Sequence, residues 1–135
     1  MDIRGLEGRI AMERELSNRG LVQTIFDAIN KRDLAEFEQY LSEGAVFDFP
    51  GPGRIEGQRR ILLFFKILFR KYPRLRFTVE DIIVEGDQAC AIWSNEGEEK
   101  KGGVYRNRGV THVRTSEGKI VFISDYFKDT SFVEN

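Results

Sequence analysis

IFDAINKRDLAEFEQYLSEGAVFDFPGPGRIEG, residues 25–57, passes from helical spacing to strand to turn, and the rest of the chain can be read outward from it. Its first part continues an upstream pattern. Leu16, Leu21, Val22, Ile25, Phe26 and Ile29 fall mostly at three- and four-residue spacings, which predicts an amphipathic helix ending near Asn30. Asp33 stands where a second helix needs a side-chain acceptor for its unpaired N–H groups. In LAEFEQYLS, Leu34, Phe37, Tyr40 and Leu41 mark one face of that helix before Gly44. AVFDF reads as a brief strand and Pro50-Gly51-Pro52-Gly53 as a loop. GQRRILLFFKILFRKYP, residues 57–73, is apolar around much of its girth and stops at Pro73, which predicts a heavily buried third helix.

From Leu75 the pattern becomes extended: LRFTVEDIIVEG, DQACAIWSNEGEE, VYRNRGVTHVRTS and KIVFISDYF read as strands. Glu85-Gly86-Asp87 and Ser116-Glu117-Gly118 suit antiparallel hairpins. Helices first and a meander afterwards is the order of an α+β domain with helices packed on one face of a sheet. A chain of 135 residues with 41% hydrophobic residues, eleven of them Phe, fits one domain over residues 1–135. The regular helical pattern starts at Met12, so residues 1–11 are expected to be a flexible extension.

Composition narrows the function classes. Twenty-one Lys and Arg against twenty-two Asp and Glu leave a net charge of −1, which offers no broad footprint for nucleic acid. One His and one Cys supply none of the usual metal-ligand spacings, so no metal is expected. GPGRIEG lacks the βαβ context of a phosphate-binding fingerprint, and there is no nucleophile elbow, so no cofactor is expected. Cys90, between Ala89 and Ala91, reads as a small buried hydrophobe in a strand. The charged N-terminus has no signal-peptide core and no apolar run reaches spanning length, so a cytoplasmic protein without membrane contact is expected.

Strand alternation sorts candidates by face. In the last strand Val121, Ile123, Asp125 and Phe127 share one side, and Ile120, Phe122, Ser124 and Tyr126 the other. Both sides are largely apolar. The outer one is therefore expected to be covered by a second subunit, giving a homodimer. In the preceding strand Tyr105, Asn107, Gly109, Thr111 and Val113 separate from an arginine-rich set that includes His112, and the arginine side is expected to face outward. Asn95 and Trp93 from the strand before, with the inner set, give apolar walls carrying a few polar atoms, the mixture a small-molecule pocket uses. The candidate ligand-binding residues are Phe26, Tyr40, Phe77, Trp93, Asn95, Tyr105, Asn107 and Phe127. Ordinary core packing would use the same residues.

From about residue 12 the chain resembles the SnoaL-like members of the NTF2-like superfamily, which includes ketosteroid isomerase, limonene epoxide hydrolase and polyketide cyclases. The residues that carry the resemblance are 25–57, the NRGVTHVR strand and GKIVFISDYFKD. It implies a cone in which helices and a curved, mainly antiparallel sheet enclose an apolar pocket, commonly in a dimer. Asp48 aligns with the catalytic base of ketosteroid isomerase through Gly57, and Asp125 with one acid of the limonene epoxide hydrolase triad. The chain departs from both patterns. Ile25 and Phe26 stand where the isomerase Tyr is expected, Thr111 replaces its second acid, and Trp93 and Asn95 fall near the rest of the hydrolase triad. Asp48 and Asp125 are thus the candidate acid–base residues of an isomerase- or cyclase-type pocket for a small apolar or aromatic molecule. A non-catalytic binder and a dimeric interaction module remain alternatives. Strand parity leaves one question open, since either Asp48 or the pair Phe47 and Phe49 faces inward, not both.

Overall fold

A computed structural model of the chain describes residues 3–98 and 102–129. In chain order these form α1 (Ile3–Lys31), α2 (Leu34–Tyr40), β1 (Leu41–Phe49), β2 (Gly53–Glu56), α3 (Gln58–Lys71), β3 (Arg76–Glu85), β4 (Gln88–Glu98), β5 (Val104–Ser116) and β6 (Lys119–Phe127). The strands make one curved sheet in the order β2-β1-β6-β5-β4-β3. All neighbours are antiparallel except β1 and β6, which run parallel. The helices pack on the sheet, as the order of helical and extended patterns predicts.

Helix α1 buries Val22, Ile25, Phe26, Ala28 and Ile29 on one stripe. It begins at Ile3, well before the regular pattern at Met12, and residues 3–14 are exposed. The corner into α2 is sharp. Arg32 adopts φ 62° there, and its guanidinium donates to the carbonyls of Ile29, Pro73 and Leu75 while lying over the Phe69 ring. Asp33 caps α2 as expected, its Oδ1 accepting from the Glu36 N–H at 3.0 Å. The expected run of this helix to Ser42 is cut short, because Leu41 already pairs with Ile120 of β6.

Two elements differ from the sequence reading. Gly53–Glu56, of which only Gly53 had been read, as the end of the loop, folds back on β1 as β2, with Phe49 opposite Gly53 across a turn in which Gly51 and Gly53 have positive φ. Four residues are too few to carry a recognisable alternation. Helix α3 is not heavily buried: Ile61 and Phe65 are enclosed, whereas Leu63 and Ile67 are each 56% exposed. The helix covers only the β1–β2 end of the sheet, so one stripe suffices.

The core lies between α1, α2, α3 and the inner sheet face, with Val22, Phe37, Leu41, Phe47, Ile61 and Ile120 almost fully enclosed. Ile120 had been assigned to the outer face. The β5–β6 hairpin turns at Glu117 and Gly118, both at positive φ, with Ser116 opposite Lys119 and Thr115 opposite Ile120. The register then slips: Arg114 pairs with Phe122, leaving Val121 as a bulge. The bulge moves Ile120, in place of Val121, onto the inner side with Ile123, Asp125 and Phe127. Cys90 is half-buried, not fully enclosed as expected.

Candidate functional site

The two candidate acids part company. Asp48 is exposed while Phe47 and Phe49 are buried, so the reading of Asp48 as an inward-pointing base is overturned. It pairs with Arg54 on β2 and Ser124 on β6. Energy decides the parity, because burying two phenylalanine rings gains several kcal/mol while burying one carboxylate costs as much. Phe47 stacks on Phe65 at 5.5 Å and meets Phe64 edge-on at 5.3 Å.

Asp125 points inward and lines two adjoining cavities of about 30 Å³ each. Phe47, Phe65 and Phe77 border both. The Trp93 indole Nε1 donates to Thr111 Oγ1 at 2.8 Å, and Thr111 Oγ1 donates to Asp125 Oδ1 at 2.6 Å. While Asp125 is ionised the direction of this chain is fixed, because an indole N–H can only donate and a carboxylate can only accept. Burial raises the Asp125 pKa to about 7, against a smaller lowering by the Thr111 hydrogen bond. Near neutral pH the group is therefore present both as acid and as base.

The register brings these residues together. Without the bulge at Val121, continuing the Ser116–Lys119 pairing would set Thr111 opposite Ser124; with it, Thr111 faces Asp125. Sequence reading placed Thr111 on the inner face and at the position of an acid in the isomerase, but no local signal marks the slip that sets it opposite Asp125. Gly109 completes the arrangement. It lies between Trp93 and Phe127 in the pairing, and a Cβ there would come within 2.7 Å of the Trp93 ring and 2.5 Å of the Tyr126 carbonyl oxygen.

The remaining candidates divide. Phe77, Trp93, Asn95, Tyr105 and Phe127 line the first cavity, and Phe26 the second. Phe26, Phe77 and Trp93 form an edge-to-face series at 5.7 and 5.0 Å. Asn107 and Tyr40 line neither of these cavities; Asn107 borders an open surface cleft with Asn95, Arg106 and Asp129. The Asn107 amide donates to Tyr105 Oη and to the Asp129 carbonyl, both at 2.8 Å, and accepts from the Asp129 N–H, so it clasps the chain after β6. Tyr40 ends α2 and packs partly buried against the core. Tyr105 has its pKa pushed up to about 12, chiefly by burial. Sequence reading left Phe47 and Phe49 as the alternative to Asp48, pending the parity of β1, and missed Phe64, Phe65 and Leu68 as walls, which depended on which stripe of α3 faces the sheet. His112 lies on the outer face, 3.1 Å from Gln88 Oε1, its pKa lowered by burial and by Arg114. Among the described residues no group of three or more His, Cys, Asp or Glu is placed to hold a metal, and no helix is long and apolar enough to cross a membrane.

A curved sheet, a helical layer and an inward acid on the last strand now stand beside a family match, since the model of the SnoaL-like domain covers residues 22–123. The chain belongs to the SnoaL-like domain family. No curated protein sequence matches this SnoaL-like chain. Among solved structures it is similar to a protein proposed as a SnoaL-like polyketide cyclase from Jannaschia sp. CCS1, with a TM-score of 0.80 and 21% identity over 85% of this chain and 88% of that one. A protein proposed as a polyketide cyclase from Pseudomonas putida KT2440 gives 0.71 and 24%, over 84% and 93%. A protein of ketosteroid isomerase-like fold from Catenulispora acidiphila DSM 44928, solved with trimethylamine, gives 0.75 and 15%, over 82% and 87%. At these identities the likeness establishes the fold, and the SnoaL-like site must be judged on its own side chains.

Proposed function

We propose that this SnoaL-like protein is a cofactor-independent isomerase or cyclase in which Asp125 is the single acid–base residue, acting on a small apolar or aromatic carbonyl compound. The observation that carries this reading is the Trp93–Thr111–Asp125 chain: an inward, half-buried carboxyl of raised proton affinity, oriented by a hydrogen-bond series, at the wall of an apolar cavity. The ionised carboxylate takes a proton from a carbon beside a carbonyl, and the C–H electron pair moves to the carbonyl oxygen as an enolate. Returning the proton at another carbon isomerises the molecule. Alternatively, the enolate carbon attacks a second carbonyl of the same molecule, whose oxygen then takes the proton from Asp125, closing a ring. Ile25 and Phe26 supply no hydroxyl donor for the enolate, which favours substrates that spread the charge themselves, such as 1,3-dicarbonyl compounds. The fold likeness to proteins proposed as polyketide cyclases supports the same chemistry.

The test is a carboxyl NMR titration of Asp125 paired with deuterium exchange of ethyl acetoacetate in D₂O. A midpoint near 7 and exchange that is lost in Asp125→Asn support the reading. A midpoint near the free value of about 3.9 removes it. Cavities of about 30 Å³ favour a second reading, a non-catalytic module, because a bound ring needs the phenylalanine walls to swing apart. If ring-containing carbonyl compounds change neither Trp93 emission nor the melting temperature, that second reading stands.

A further inference from the structure

Asn95 lies on the cavity side of β4, two residues beyond Trp93 and opposite Asn107. It is 7% exposed. Its Oδ1 is the one buried side-chain nitrogen or oxygen without a hydrogen-bond partner among the described residues. Buried acceptors are almost always paired, because leaving one unpaired forfeits its hydration with no return. The Asn107 amide is committed to Tyr105 Oη and the Asp129 carbonyl, and the Trp93 N–H to Thr111. The Asn95 acceptor is therefore available to a donor that a bound molecule brings.

The strand register places this acceptor relative to the acid. Ala91, Thr111 and Asp125 form one cross-strand row, Trp93, Gly109 and Phe127 the next, and Asn95 and Asn107 the third. Two rows at about 3.3 Å per residue set the two polar ends about 13 Å apart along the strands. Between them the wall is aromatic, from Phe77, Trp93 and Phe127. The site therefore has an acid at one end, an unpaired acceptor at the other, and apolar surface between.

We infer that Asn95 is a positioning residue that accepts a hydrogen bond from a hydroxyl of the ligand, so that the site takes an elongated, ring-containing molecule with a phenolic or enolic O–H at the end away from Asp125. This rests on the proposed reading of the cavity as a ligand site. The competing occupant is a trapped water, for which a cavity of about 30 Å³ is sufficient. A water already satisfying Asn95 would make the ligand's hydroxyl irrelevant.

Titration calorimetry with 2-naphthol and 2-methoxynaphthalene, which differ in the donor, reads the difference. The wild type should bind 2-naphthol about fivefold more tightly, the order of one net hydrogen bond. Asn95→Leu should bring the ratio close to one, and Asp125→Asn should leave it intact. Should Asn95→Leu fail to fold, the side-chain amide signals of Asn95 in the wild type serve instead, shifting with 2-naphthol and not with its methyl ether. Equal affinities in the wild type, or a preference that survives Asn95→Leu and disappears in Asp125→Asn, overturn the inference while leaving a ligand site in place. Binding of neither compound overturns the ligand site and the inference together.

Discussion

Asp125 couples stability to pH in a direction opposite to that of most carboxylates. Its folded pKa of about 7 lies above the unfolded value near 3.9, so the folded state binds the proton more tightly. The contribution is fully present below about pH 4, falls as pH rises toward 7, and stays lost above it. Roughly three units correspond to an upper bound of about 4 kcal/mol. Asp125→Asn has no proton to lose, so its melting temperature should rise relative to wild type between pH 5 and pH 8; a constant difference across that range would mean the carboxyl is solvated. Thr111→Val removes the hydrogen bond that favours the ionised form, so the Asp125 midpoint should move further up in an NMR titration. The same change leaves the Trp93 N–H without its acceptor, at a cost of about 1–3 kcal/mol. Asp48→Asn should alter stability by less than about 0.5 kcal/mol, as expected of an exposed site, and leave ligand binding unchanged, measurable by urea denaturation and the calorimetric titration.

Among the elements, the bulge in β6 and the glycine of β5 set the site. Gly109→Ala forces a Cβ against the Trp93 ring and the Tyr126 carbonyl, and strands that cannot move apart must displace the indole. The variant should lose on the order of 1–3 kcal/mol, with a shift of the Asp125 titration that a remote destabilising change would not produce. Asp33→Ala removes the α2 cap and should cost about 1 kcal/mol without touching that titration, which makes it the control. The cap was legible in sequence because it is a local device: donor and acceptor are three positions apart in the chain. The bulge was not, because the extra residue at Val121 is selected by which of Ile120 and Val121 fits under α1 and α2, and alternating apolar residues on both faces of KIVFISDYF give no hint of it.

For the whole molecule, the outer sheet face retains apolar side chains: Phe122 is half-buried against His112, and Ile83 and Tyr126 are 55% and 62% exposed. We expect this face to carry a homodimer, and Phe122→Glu to shift sedimentation from dimer to monomer by placing a charge in the contact; a wild type that sediments as a monomer removes the expectation. The class of fold needed no tertiary information. Three apolar helical stripes followed by four extended runs can bury their apolar sides only as helices on a sheet, and with the spacing of residues 25–57 this already resembles a SnoaL-like chain. The arginine-rich side of β5 and the inward Trp93, Asn95 and Asp125 followed from alternation alone. Long-range pairing decided the rest. Whether Asp48 or its two phenylalanines turned inward depended on the rings of α3 waiting across the core, and whether Thr111 met Asp125 or Ser124 was settled by a one-residue slip. Local sequence carries the period of a strand but not its register, since register is chosen by contacts between residues far apart in the chain.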